Sequence, residues 1–308
     1  MSAESFIFEG GAHKNELLVE LIEDLGGWIV QKKILASEST ITFTIPQTAD
    51  VPLVRHMVLQ LRGGLRPQPL LGIEIGVIAP TIARHHLPHV LCDISEFMRR
   101  MGAKTNMIGL GRGVGQRTAQ ISTLEKNIIE EHDAAIFVFG NFVRCLKEHK
   151  WKLYRDLTIP VVVTGGPEME SVPHAEYYIS KIGRLPYRFR RLEELDKLRE
   201  IGNAVGDAIQ KRRKLLERDP PLLPSFAVKE EIIRQVPAIK NVYSPTPIVP
   251  KLQGLRVKLP YAQFHEEMAS IQIGDYRLDE IAEVTQSNFR DYILIKFLAQ
   301  SQIKKRND

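Results

Sequence analysis

The chain has 308 residues, 44% of them hydrophobic and 26% charged, with a formal net charge of +5 at pH 7. That length buries a sizeable core spread over two or three domains, and the composition is that of a soluble globular protein, not a disordered or fibrous one. No apolar run approaches the roughly 20 residues that cross a bilayer, the start MSAESFIFEGG lacks the basic region and long apolar core of a signal peptide, and two cysteines are too few for a disulfide framework, so a cytoplasmic protein with no membrane contact is expected.

In chain order, residues 1–66 read as a small α/β unit. SFIFEG reads as a strand, and HKNELLVELIEDLGG as a helix closed by glycine. WIVQKKILASES and TITFTIP read as two paired strands. ADVPLVRHMVLQLRGG is a helix with Pro52 in its first turn, and LRPQPLL reads as a linker.

Residues 71–185 carry the clearest pattern. The apolar strands GIEIGVIA, TNMIGLG, AAIFVFG and IPVVVTG alternate with helices near 87–101, 118–131 and 141–155, and EYYIS adds a short fifth strand. Such alternation predicts an α/β fold with a doubly wound parallel sheet covered on both faces. Residues 191–308 read as a basic, mostly helical region: a long charged helix from 191, the breaker DPPLLPS, a probable strand GLRVKLP, and helical segments near 261–270 and 277–300. Basic clusters at 181–191, 210–218 and the C-terminus suit an acidic protein partner or a solvated helix face. With no recognised module and no interleaved aromatics to stack bases, nucleic acid is not the expected partner.

Functional loops of an open parallel sheet gather at the carboxyl ends of its strands. Four loops should meet there: PTIARHH, GRGVGQRT, GN and GGPEMES. His85, His89 and Cys92 are spaced i, i+4 and i+7, one side of a helix if helical geometry begins early enough. Imidazole and thiolate suit zinc or an iron–sulfur centre better than calcium or magnesium. A single cysteine in an apolar helix is equally explained as core. Cys145 follows Gly140 and Asn141, with Asn141 a candidate N-cap, and is also explained as an inward-facing partner of Phe142 and Leu146. His132, His149, His174 and His265 have no ligand-like spacing and read as surface or structural residues.

The stretch NMIGLGRGVGQRTAQIS places Gly109, Gly111, Gly113 and Gly115 after the second strand. It fails as a dinucleotide loop, because polar residues delay the helix and no acidic residue stands at the end of the next strand. Absence of a GxxxxGK[ST] loop argues against autonomous ATP hydrolysis. Bare backbone N–H groups form an anion-binding concavity that serves phosphates and iron–sulfur clusters alike, and Arg112 and Arg117 would reinforce it. Glycines that only let two backbones pack are the remaining explanation.

IARHHLPHVLCDISEFMRRMGAKTNMIGLGRGVG together with AAIFVFGNFVRCLKEHKWKLYRDLTIPVVVTGGPE resembles the methanogenesis marker protein seven family of methanogenic archaea over most of the chain. Residues 71–180 are similar, more distantly, to methyl-coenzyme M reductase operon protein C, with Arg84, His85, Cys92, Gly140 and Asn141 as the matching positions. The resemblance implies a non-ATPase subunit of the ATP-dependent complex that activates methyl-coenzyme M reductase by reducing its nickel tetrapyrrole to Ni(I). It implies an iron–sulfur cluster related to nitrogenase cofactor precursors, with Cys92 the first ligand candidate, His85 beside it and Cys145 third. One cysteine does not hold a large cluster alone, so a shared subunit interface is expected, with the glycine loop, Gly140 and Asn141 near it. The implied partners are the reductase, its operon protein C, an ATP-binding activation component and other methanogenesis marker proteins. Two other readings stay open: a purely structural adaptor, and an independent enzyme binding a nucleotide or phosphorylated metabolite at the glycine loop.

Overall fold

The structure is a computed structural model and describes residues 4–13, 15–80, 88–111, 121–182 and 191–307. It divides into two compact units, one of residues 1–71 with 100–102 and one of residues 72–99 with 103–308. Among the described residues no helix is long and apolar enough to cross a membrane.

The first unit runs β1 (Glu4–Gly11), α1 (Asn15–Asp24), β2 (Trp28–Ile34), β3 (Glu38–Ile45), α2 (Val51–Gln60) and β4 (Gly64–Pro67). Phe6, Phe8, Ile41, Phe43 and Ile45 recur at every second position, so each strand turns one apolar face to Leu18 and Ile22 of α1 and to Val54 and Val58 of α2. The antiparallel order β2-β3-β1-β4 is the split βαβ arrangement. Gly26, two residues past the end of α1, adopts a φ of 68°, the left-handed turn that glycine tolerates at a helix end. The stretch LRPQPLL, expected as a linker, begins instead as strand β4, pairing Glu9 with Gly64 and Phe6 with Pro67. Proline is admissible there because β4 is an edge strand.

In the second unit come β5 (Glu74–Ala79), α3 (Pro88–Arg100), β6 (Lys104–Gly109), α4 (Thr123–Glu130), β7 (Ala134–Val138), α5 (Val143–Glu148), β8 (Val161–Thr164), β9 (Tyr177–Ile179), α6 (Arg191–Leu216) and α7 (Ser225–Gln235). The five strands are parallel, in the order β6-β5-β7-β8-β9, as the β/α alternation predicted. β5, β7 and β8 are buried along their whole length, which is why they read as continuous apolar runs. Phe137, Phe139, Leu146 and Tyr154 belong to the core on one face. The charged helix α6 packs against β7, β8 and β9 and buries Ile201, Val205, Ala208 and Ile209. The helix expected over 141–155 is shorter: α5 ends at Glu148, His149 leaves helical geometry with a φ of −128°, and a 3₁₀ turn follows at Lys150–Leu153.

The chain ends with β10 (Ile248–Lys251), β11 (Gly254–Val257), α8 (Tyr261–Ala269), β12 (Gln272–Ile273), β13 (Tyr276–Arg277), α9 (Leu278–Ile281), β14 (Ala282–Gln286), β15 (Ile293–Phe297) and α10 (Gln300–Asn307). A helix expected over 277–300 is corrected here. Only one helical turn forms, and β14 and β15 then make an antiparallel pair inside the sheet β10-β11-β15-β14. Ile293, Ile295 and Phe297 are buried alternately with Leu294 and Lys296. That period of two is the strand signal, and a helical stripe would need three- and four-residue spacing.

Candidate functional site

The order β6-β5-β7-β8-β9 reverses direction between β5 and β7, so the crevice of this sheet opens beyond their carboxyl ends. Gly140 and Asn141 follow β7 there, and both are exposed. The N–H of Gly166, after β8, donates to the Gly140 carbonyl at 3.4 Å. A Cβ on Gly166 would stand 1.7 Å from Asn141 Oδ1, so any larger residue there would push the Asn141 side chain aside. Asn141 is not the N-cap expected from the sequence. Phe142 holds that position, without a side-chain capping bond, and is 80% exposed. Phe142 therefore does not turn inward beside Cys145, although Leu146 does. Cys145 itself is half-buried in the short helix α5.

Cys92 lies in the second turn of α3 and is exposed. Its Sγ stands 4.0 Å from the Met107 Sδ on β6, a residue 44% exposed. It is not a core cysteine. The amphipathic pattern explains this, since Leu91, Ile94 and Met98 take the buried stripe of α3 and Cys92 falls beside it. α3 begins at Pro88, so the helical spacing from His85 to Cys92 does not extend through the described residues. His85 itself, Arg84, and Arg112, Gly113, Gly115 and Arg117 of the glycine loop lie outside them, as does the His89 side chain. Among the described residues no three His, Cys, Asp or Glu side chains converge as metal ligands.

Gly109 ends β6, and Gly111 follows it. The Gly111 N–H donates to Glu125 Oε1 at 2.6 Å. The other oxygen of the same carboxylate accepts from the N–H and the hydroxyl of Ser122, each at 2.7 Å, while Ser122 Oγ accepts from the Glu125 N–H at 3.2 Å. The pairing completes a capping box on α4. A carboxylate of the chain thus joins both ends of the glycine-rich stretch. It also occupies the Gly111 and Ser122 N–H groups, two of the donors a phosphate could use before α4. Glu125→Ala is expected to lower stability by about 1 kcal/mol, a typical cap loss, and to speed amide exchange at Gly111. Unchanged protection at Gly111 would sink that assignment.

A second cluster, missed by the sequence reading, lies at the opposite, amino edge of the sheet. Glu74 opens β5, Glu131 and His132 close α4, Asp133 precedes β7, and Arg256 is in β11. Glu74 and Arg256 are each 1% exposed. Arg256 donates Nη2 and Nε to Glu74 at 3.0 and 3.1 Å and Nη1 to Glu131 Oε2 at 2.8 Å. Ser287 Oγ donates to the same Glu131 oxygen at 2.6 Å, and Asn288 Nδ2 to the other at 2.9 Å. Lys251 donates to Glu74 at 3.3 Å and to the Glu131 carbonyl. Asn106 Nδ2 lies 2.8 Å from Glu74 and 3.0 Å from His132 Nε2, and His132 Nδ1 lies 2.9 Å from the Ile128 carbonyl. That set of partners fits a neutral imidazole donating from Nδ1.

Burial alone would raise the Glu74 carboxyl, but Lys251, Arg256 and His132 outweigh it and hold it far below the usual range. Burial likewise opposes ionisation of Glu131, and the bonds from Ser287, Arg256 and Asn288 prevail, leaving it depressed. His132 is pushed down to about 4, chiefly by burial and against the pull of Glu74. Asp133 is raised by burial, although it accepts from the Glu74 and Leu252 N–H groups. Glu74 and Glu131 are matched by Arg256 and Lys251 and shielded from water. This cluster joins the antiparallel sheet to the parallel one as a structural lock. The signal in the sequence was a charge inside each of two apolar strands, Glu74 in GIEIGVIA and Arg256 in GLRVKLP.

A family model described as methyl-coenzyme M reductase operon protein C matches residues 3–271, far more than the 71–180 over which that resemblance was read. A protein of Methanocaldococcus jannaschii, itself described as uncharacterized, is 42% identical over 297 residues, which cover 96% of this chain and 94% of that one. Among solved structures, formyltetrahydrofolate deformylase from Burkholderia mallei overlaps with a TM-score of 0.21 and 10% identity, over 44% of this chain and 59% of its own. Glutamyl-tRNA reductase from Methanopyrus kandleri overlaps with a TM-score of 0.19 and 7% identity, over 77% and 85%. Superpositions that loose carry no argument about fold or function.

Proposed function

The chain belongs to the methyl-coenzyme M reductase operon protein C family, which ties it to methanogenesis, and on that premise we propose that it is a non-ATPase subunit of the machinery that activates the reductase. In this reading it offers the Cys92 thiol to an iron–sulfur cofactor completed by another subunit. The observation that carries the reading is the exposure of Cys92 on α3, beside the Met107 thioether. A soft sulfur donor is the right chemistry for iron–sulfur ligation. Among the described residues no full ligand set converges, and in this reading the remaining ligands come from another subunit.

An iron–sulfur group contributes one-electron transfer when bound. This chain's own part is to hold the thiol on a rigid helix and keep it accessible to a partner. The proposed partners are the reductase, an ATP-binding activation component, marker proteins and a further operon protein C chain. A purely structural adaptor fits less well, because its premise was that the cysteines are packing residues. Nucleotide binding at the glycine loop also fits less well, since Glu125 already occupies the Gly111 and Ser122 donors.

The test is anaerobic purification of the native assembly carrying Cys92→Ser, with Cys145→Ser as the comparison. Cys92→Ser is expected to lower bound iron at least severalfold while the subunits still assemble. Iron unchanged in an intact Cys92→Ser assembly would overturn the reading. Disruption by charge reversal at Arg212, Arg213 and Lys214 with iron retained would favour the adaptor.

A further inference from the structure

Beside the lock at the amino edge stand three cations that make no salt bridge among the described residues. Lys258 follows β11, two residues after Arg256, so both side chains leave one face of the strand. Its Nζ donates to the Ser244 hydroxyl at 2.8 Å, and among the described residues it has no carboxylate partner. Lys104 is in register with Glu74 on the adjacent strand. It stands two residues before Asn106, whose amide reaches Glu74, so Lys104 shares that face. Arg290 comes from the turn between β14 and β15. Its guanidinium lies 5.8 Å from the Phe289 ring, whose other cationic neighbour is Arg256 at 5.4 Å.

Three parts of the fold, the end of β11, the start of β6 and the β14–β15 turn, therefore bring positive charge to one place. Burial, then repulsion from Lys104 and from Arg290 and Arg256, pulls the Lys258 ammonium down to about 8, with only Glu74 attracting it. Glu74 is already engaged by Arg256, Lys251 and Asn106. Asp291, next to Arg290, accepts from Tyr261 N–H and Gln286 Nε2. A half-buried ammonium held by a neutral hydroxyl among like charges is destabilising in the absence of an anion.

We propose that Lys104, Lys258 and Arg290 form a binding site for a phosphate group, free or carried by a small metabolite. Several N–H donors on three cations match the multiple oxygens and double charge of phosphate better than they match one carboxylate. The site is independent of Cys92 and of the carboxyl edge, so it stands or falls apart from the activation role.

The full chain is titrated at pH 7 with inorganic phosphate and with glycerol phosphate, against sodium chloride of equal ionic strength, by calorimetry and thermal melting. Phosphate is expected to raise the melting temperature where chloride does not, by ligand linkage, and the effect should fade as pH rises through about 8. Lys258→Met, which removes an uncompensated charge, should melt no lower than the parent without phosphate and should bind phosphate at least tenfold more weakly. Arg290→Gln is the second variant and should also weaken binding. Tighter binding of glycerol phosphate identifies a metabolite, and equal binding identifies free phosphate. Phosphate acting no differently from chloride, or Lys258→Met and Arg290→Gln both retaining full affinity, overturns the site.

Discussion

Arg256→Met is expected to cost about 3–5 kcal/mol of stability, the range for removing one member of a buried ion cluster. The cost comes from what remains. Glu74 loses the donors at 3.0 and 3.1 Å and Glu131 loses the one at 2.8 Å, leaving two carboxylates away from water with too few partners. Methionine fills much of the space but supplies no hydrogen bond, so cavity formation is not the main term. The readout is a lower urea midpoint with little change of slope. The contrast is Arg144→Met: Arg144 is bonded to Glu148 at 2.9 Å but its side chain is 86% exposed, and such surface pairs contribute about 0–1 kcal/mol. Equal losses in the two variants would show that Arg256 does not lock the sheets together.

Acidification should destabilise the chain earlier than its carboxylates alone would. His132 has a folded pKa of about 4 against 6.5 in a free chain. Below pH 6.5 the unfolded state binds a proton that the folded state does not, so stability falls as pH falls, until about pH 4. By linkage this amounts to about 2 kcal/mol between pH 7 and pH 5. Glu74 and Glu131, both depressed, contribute stability that is present above the ordinary carboxylate range and lost at lower pH. Asp133 is raised and acts in the opposite direction. His132→Gln should flatten the pH 7 to 5 segment of the stability profile while leaving the steeper loss below it. A parental profile already flat over that segment would mean that His132 is not held neutral.

The parallel sheet was legible because its evidence is local. A buried strand between two helices must be apolar throughout, and GIEIGVIA, AAIFVFG and IPVVVTG are nearly so. The 277–300 segment was misread because its short alternating strands are interrupted by the turn QSNFRD, and the one turn of α9 lends it a helical start. At the site, the placement of Gly140 and Asn141 beyond the carboxyl end of β7 followed from strand order. The exposure of Cys92 did not, because a cysteine beside an apolar stripe reads equally well as core until the stripe is seen to be filled by Leu91, Ile94 and Met98.

From the sequence alone came the α/β class, the order of the sheet-forming segments, the family likeness and the carboxyl-edge loops. All of these rest on periodicity and turn chemistry within a few tens of residues. Tertiary structure alone decided that Gly111 meets Glu125, and that Arg256 meets Glu74 across 182 positions of chain. It also decided that Lys258 has cations for neighbours. Charge pairing depends on distance in space, and no pattern along the chain reports which distant residue will supply the opposite sign.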